Sequence, residues 1–137
     1  LRAPGAVDCA VELGCGVVLM HMQGEPRTMQ ANPAYGDVVA DVIAFLRARV
    51  DEVVKAGVAR EKIWVDPGIG FGKRLEDNLA LMARLEELAA CGYPLLIGIS
   101  RKSFVGALTG KDVGERLAGT LAATCAAWRT PPSWRCG

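Results

Sequence analysis

The sequence has a single histidine, His21, and no C-x-x-C pair among its five cysteines. Those two scarcities argue against a zinc site. An odd count, made of Cys9, Cys15, Cys91, Cys125 and Cys136, also argues against a disulfide framework. Reduced thiols and a cytoplasmic location are expected instead. No apolar run approaches the roughly 20 residues that a membrane span needs. No basic stripe appears, and 16 basic residues against 15 acidic leave a net charge of +1, so nucleic acid is not an expected partner. No Ser/His/Asp or Cys/His set for covalent catalysis can be picked out.

Two phosphate-binding patterns are missing as well. Lys73 follows Gly72, but Pro67 stands five residues before Gly72 and Arg74 follows the lysine, so the chain has no P-loop. G-x-G-x-x-G fails because Lys73 holds the last glycine's place. A signal peptide is not visible, and the first residue is Leu1, so the chain reads as part of something longer.

What is present suits one globular domain. The 137 residues are 51% hydrophobic and 23% charged, enough apolar mass for a core. Residues 4–14 read as a short helix that ends near Gly14. "GVVLMHM" (16–22) is short and apolar, a strand expected to be buried on both faces. Residues 23–36 read as a loop. Val39, Val42, Ile43, Leu46, Val50, Val53 and Val54 recur at helical spacing, with Gly57 as the stop. "KIWVD" (62–66) is a second strand. Leu79, Met82, Leu85, Leu88 and Ala89 mark one helix that ends near Gly92. "PLLIGIS" (94–100) is a third strand, and a helical turn and a last helix follow to Trp128. Alternation of this kind implies an α/β fold, with parallel strands and helices packed outside them.

Three unusual clusters, "HMQGEP", "DPGIGFGK" and "SRKS", each sit at a strand end. Parallel strands bring those ends to one edge, where such folds place their ligands. Asp66 can accept N–H donors from a flat heterocycle there, or it can cap the turn that follows. Gly68, Gly70 and Gly72 let a flat ligand approach the backbone, and Phe71 can cover an apolar face. Lys102 can donate to ring nitrogens and carbonyl oxygens, and Ser103 can help hold an anion at a helix start. The same residues also suit a plain helix cap with solvated basic neighbours. His21, a lone histidine at a strand end, suits a structural role better than a catalytic one, and Met20 fits a core role as readily as a functional one.

"LMHMQGEPRTMQ", "DPGIGFGK" and "GISRKSFVG", in this order, resemble the dihydropteroate synthases. The resemblance implies a (β/α)8 TIM barrel, of which residues 1–129 would form a partial barrel covering strands five to seven with their helices. It also implies a transferase of folate biosynthesis. That enzyme condenses 6-hydroxymethyl-7,8-dihydropterin pyrophosphate with p-aminobenzoate and releases 7,8-dihydropteroate and pyrophosphate. By the same resemblance, Asp66, Lys102, Gly98 and Met20 would meet the pterin. Phe71, Gly70 and Ser103 would form the p-aminobenzoate side, where sulfonamides compete, and Lys102 would be the catalytic side chain. Arg101 belongs to the motif without a role assigned to it. Mg²⁺ is the implied cofactor, with no ligand for it in this chain, and a full-length homodimer is expected. A pterin domain of the methyltetrahydrofolate-binding methyltransferase type, or a non-catalytic barrel fragment, are the alternative readings.

The chain departs from that family in length. A complete barrel takes about 250 residues. The first four strands are missing, with the Asn that helps hold Mg²⁺ and pyrophosphate, and so are the last strand's pyrophosphate-binding Arg and His. The fragment alone is expected to be inactive. Its end, "RTPPSWRCG" (129–137), has two prolines where the eighth strand should begin. One choice of codons, read two bases later, encodes Asp-Ala-Ala-Ile-Val-Ala-Val-Arg, a buried-strand sequence. Residues 130–137 therefore read as the product of a reading-frame error, an aberrant or disordered tail.

Overall fold

A computed structural model of the chain describes residues 3–24 and 35–128. Most of the loop expected over 23–36, and the whole tail 130–137, fall outside the described residues. The elements run α1 (Ala6–Leu13), β1 (Val17–Met20), α2 (Val38–Lys55), β2 (Ile63–Asp66), α3 (Leu75–Ala83), α4 (Leu85–Ala89), α5 (Ser103–Thr109) and α6 (Leu117–Trp128). The alternation expected from the sequence is there, with differences at three places.

α2 forms as its apolar spacing predicts. Asp37 caps it by accepting from the N–H groups of Val39 at 2.9 Å and Ala40 at 3.3 Å. Val39, Val42, Leu46, Val50 and Val53 are all buried against the sheet side. Each such side chain contributes about 1.5–3 kcal/mol by leaving water. Gly57 ends the helix region at φ 112, a conformation that side chains resist.

The strands β1 and β2 pair in parallel, with Val17 opposite Ile63 and Met20 opposite Asp66. Val17, Leu19, Ile63 and Val65 point to the helix side and are buried. Contrary to the expectation of a strand buried on both faces, Val18, Met20 and Trp64 stand on a second face that is open among the described residues, each between 36% and 43% exposed.

The third expected strand, 94–100, pairs only once. Val65 donates to the Pro94 carbonyl and Leu96 donates back to Val65, each at 2.9 Å. The next donor in a parallel ladder would be residue 67. Pro67 has no N–H, so the ladder stops there. The helix expected through Leu79 and Leu88 is also divided. Arg84 leaves helical geometry at φ −116 and ψ 33, and its guanidinium reaches Asp37 and Glu87. Of the stripe read from the sequence, Leu85 and Leu88 are buried while Leu79 is 39% exposed, and Leu81, which the stripe left out, is buried in its place.

Candidate functional site

The site lies where the strands end. Asp66 closes β2 and is 8% exposed. Its Oδ1 accepts the Gly68 N–H at 2.7 Å. Burial pushes its carboxyl pKa up, while the Gly68 hydrogen bond and the charges of Lys102 and Lys73 draw it back. Gly68 has φ 68, and a Cβ there would lie 1.9 Å from the His21 carbonyl oxygen. Glycine is therefore required where the loop crosses the end of β1.

The loop is fastened at several points. Gly70 N–H donates to Asn78 Oδ1 at 2.7 Å, and Tyr35 Oη donates to the Gly72 carbonyl at 2.6 Å. Burial pushes the Tyr35 hydroxyl up to about 12, with Asp77 and Asp41 adding to the effect, so it stays a donor. Lys73, only 3% exposed, donates to the Gly68 and Phe71 carbonyls at 3.0 Å each. The glycines thus sit in a turn held by Asn78, Tyr35 and Lys73.

Lys102 meets this loop from the other side. Its Nζ lies 3.7 Å from the centroid of the Phe71 ring, within cation–π range. A Cβ on Gly70 would come within 3.0 Å of Lys102 Cδ, so the absence of a side chain there admits the lysine. Partial burial lowers the Lys102 pKa, and Asp66 opposes that shift. Arg101, next to it, holds a left-handed backbone at φ 59, an uncommon conformation for a non-glycine residue. Arg116 ties this turn down by donating to the Arg101 and Lys102 carbonyls at 3.3 Å and to the Lys111 carbonyl at 3.0 Å.

The structure therefore brings Asp66, Gly70, Phe71 and Lys102 together. Met20 pairs with Asp66 in register and is exposed beside it. Gly98 and Ser103 are both exposed, one on the segment before the SRKS turn and one as the first residue of α5. Among the described residues, nothing lies within 4 Å of a Cβ placed on Gly98. A cavity of about 410 Å³ behind the turn is lined by Ser100, Arg101, Val113, Gly114, Arg116, Leu117 and Thr120, and it does not include Asp66 or Lys102.

Sequence reasoning missed the roles of Lys73, Asn78, Tyr35 and Arg116. Asn78 looks like an ordinary helix residue, and Tyr35 and Arg116 lie far along the chain from the carbonyls they hold. Lys73 gave the one available signal, a charge adjoining a glycine-rich turn after a buried strand. Among the described residues, no three His, Cys, Asp or Glu side chains gather to hold a metal ion. No described helix is long and apolar enough to cross a membrane.

The chain is 48% identical over 122 residues to the dihydropteroate synthase of Haemophilus influenzae, covering 89% of this chain and 44% of that protein. It is 51% identical over 130 residues to the dihydropteroate synthase of Neisseria meningitidis serogroup C, covering 93% and 46%. An inactive dihydropteroate synthase 2 of Mycobacterium leprae is also similar, at 42% over 129 residues, covering 90% and 44%. Among solved structures, the Yersinia pestis dihydropteroate synthase with a sulfonamide drug complex superposes with TM-score 0.91 at 43% identity, covering 93% of this chain and 47% of that one. The chain spans about half the length of the relatives it matches. The model of one family, described as pterin binding enzyme, matches residues 2–131, and the chain belongs to that family.

Proposed function

We propose that the chain is part of a dihydropteroate synthase and carries its pterin and p-aminobenzoate contacts. The observation that supports this best is the group formed by Asp66, Phe71 and Lys102 around a fastened glycine loop at the strand ends. A carboxylate, a cation and an aromatic face around one opening suit two flat, polar-edged substrates.

In this reading, Asp66 accepts hydrogen bonds from the amino edge of the pterin. The Gly68 N–H keeps its other oxygen oriented. Lys102 donates to the pterin ring and borders the second substrate, whose ring lies against Phe71 and Gly70. Ser103 helps hold its carboxylate. Gly98 leaves room for the pterin, and Met20 lines the opening. The amine lone pair forms the new C–N bond at the pterin methylene. The C–O bond to pyrophosphate breaks with its electrons passing to the leaving group, and the amine proton goes to solvent. The side chains position both rings and form no covalent intermediate. Mg²⁺ and the pyrophosphate would be held by parts of the enzyme outside this chain.

The fold part of the proposal is that β1, β2 and the segment at Leu95 are strands five to seven of a (β/α)8 barrel. The exposed face of Val18, Met20, Trp64 and Leu96 supports it, because a barrel interior would cover that face. The complete enzyme is proposed to be a cytoplasmic homodimer that sulfonamides inhibit.

A relative named inactive at 42% identity means that likeness alone does not decide activity. The test is turnover by the full-length protein carrying these residues. Dihydropteroate formed from both substrates supports the synthase. Binding of a pterin analogue without binding of p-aminobenzoate or a sulfonamide favours the methyltransferase-type domain instead, and binding of neither favours a non-catalytic fragment.

A further inference from the structure

We propose that Lys73 is a positioning residue whose ammonium latches the Gly68–Gly72 loop to the end of β1, and so sets Asp66 and Phe71 for their substrates. The inference rests on the proposed function for what the loop serves, but the latch itself is visible without it.

An ammonium has three N–H donors. Here they meet the Gly68 carbonyl at 3.0 Å, the Phe71 carbonyl at 3.0 Å and His21 Nδ1 at 2.9 Å. For Nδ1 to accept, the imidazole must carry its proton on Nε2, an assignment made from the hydrogen-bond network. His21 is itself 6% exposed, and its ring packs edge-on against Phe45 with centroids 4.9 Å apart, which fixes the direction of Nδ1.

The loop residues that Lys73 holds are the ones that shape the site. Gly68 binds Asp66 through its N–H and Lys73 through its carbonyl. Phe71 donates its N–H to that same Gly68 carbonyl at 3.0 Å, and its own carbonyl is held by Lys73. Its ring carries Lys102. Removing the ammonium would take the Lys73 donor from both carbonyls, leaving the Gly68 carbonyl with the Phe71 N–H, and Asp66 and Phe71 would lose their shared tie to the end of β1. The groups that bear on the Lys73 charge are His21 at the end of β1, Asp66 at the end of β2, Asp77 on α3 and Lys102. Burial lowers its pKa to about 8. A charge buried against that tendency is poorly suited to core filling, for which an apolar side chain would do better.

The experiment compares Lys73→Met, His21→Gln and His21→Leu in the full-length protein. Two readouts are taken: hydrogen exchange at individual amides, and the KM for each substrate. In Lys73→Met, exchange at the Gly68, Gly70 and Phe71 amides should rise at least tenfold while the α2 amides keep the wild-type rate. KM for p-aminobenzoate should rise at least tenfold, with a smaller change in kcat per folded molecule. His21→Gln, which keeps an acceptor, should stay near wild type, and His21→Leu should follow Lys73→Met. Unchanged loop exchange, or exchange accelerated equally throughout the protein, would overturn the latch, as would a normal KM in an active enzyme. If the wild-type protein makes no dihydropteroate but the exchange pattern is as stated, the latch stands and the synthase reading falls.

Discussion

Lys102 Nζ sits 3.7 Å from the centroid of the Phe71 ring, joining the SRKS turn to the glycine loop across the mouth of the site. Neither residue is near the other in sequence. The contact holds a cation against the aromatic surface that is proposed to receive p-aminobenzoate. Phe71→Leu keeps an apolar side chain but removes the ring face, a contact worth about 0.5–2 kcal/mol. Affinity for p-aminobenzoate should fall by roughly that amount, and pterin affinity should change less. Calorimetric titration of both ligands against the full-length variant checks this. Equal losses for the two would remove Phe71 from the p-aminobenzoate side.

Asp66 should trade stability for binding. Its folded-state pKa is raised, with burial the largest cause. The sign follows from linkage. A native carboxyl that holds its proton more tightly than the unfolded one stabilises the fold below its unfolded pKa and loses that contribution as pH rises through its folded pKa. At neutral pH the ionised group is therefore a cost to the fold. Asp66→Asn retains an oxygen for the Gly68 N–H. Its urea midpoint at pH 7 should be equal to or above wild type, while pterin binding weakens by about 1.5–3 kcal/mol for each charge-assisted hydrogen bond lost. A variant that unfolds earlier and binds pterin normally would mean that the carboxylate is structural.

Lys73 gives a second pH signature, with the same origin in burial but the opposite sign. Its folded-state pKa is lowered to about 8 from an ordinary 10.5. Between those values the unfolded chain binds more protons than the native protein, so stability rises with pH. The slope contributed by one such group is about 1.4 kcal/mol per pH unit at most. Wild-type stability measured against Lys73→Met should therefore gain with pH from 8 to 10.5. A difference that stays flat over that window would show that Lys73 titrates normally.

Gly98 offers a test of pterin placement that leaves the fold alone. A Cβ added there meets no atom of the described residues within 4 Å. Gly98→Val should keep the melting temperature of the full-length enzyme within a few degrees, yet it should weaken pterin binding at least tenfold by filling the ligand's space. Normal pterin affinity in that variant would move the pterin elsewhere.

Much of this was legible in the sequence because local rules decided it. The spacing of Val39, Val42, Leu46, Val50 and Val53 specified α2, and Asp66, Phe71 and Lys102 stood out as charged or aromatic residues at strand ends. The failures came from tertiary facts. Pro67 cuts the ladder that "PLLIGIS" would otherwise extend, which depends on a partner strand's register. Arg84 divides the helix expected through Leu79 and Leu88, and its side chain reaches Asp37, 47 residues away. The open face of Val18 and Trp64 could not be foreseen from the apolar run at 16–22, which looked buried on both faces. The fastenings of the glycine loop by Tyr35 and Asn78 depend on where distant elements pack.

The most direct measurement is product formation by the full-length protein carrying these residues, given 6-hydroxymethyl-7,8-dihydropterin pyrophosphate and p-aminobenzoate. Dihydropteroate and pyrophosphate should appear in equal amounts, a sulfonamide should compete with p-aminobenzoate, and Lys102→Ala should lower turnover per folded molecule far more than it lowers the melting temperature. The isolated 137-residue chain should make no product at an enzyme's rate. A full-length protein that binds pterin but never joins it to p-aminobenzoate, or a Lys102→Ala variant with normal turnover per folded molecule, would contradict the assignment.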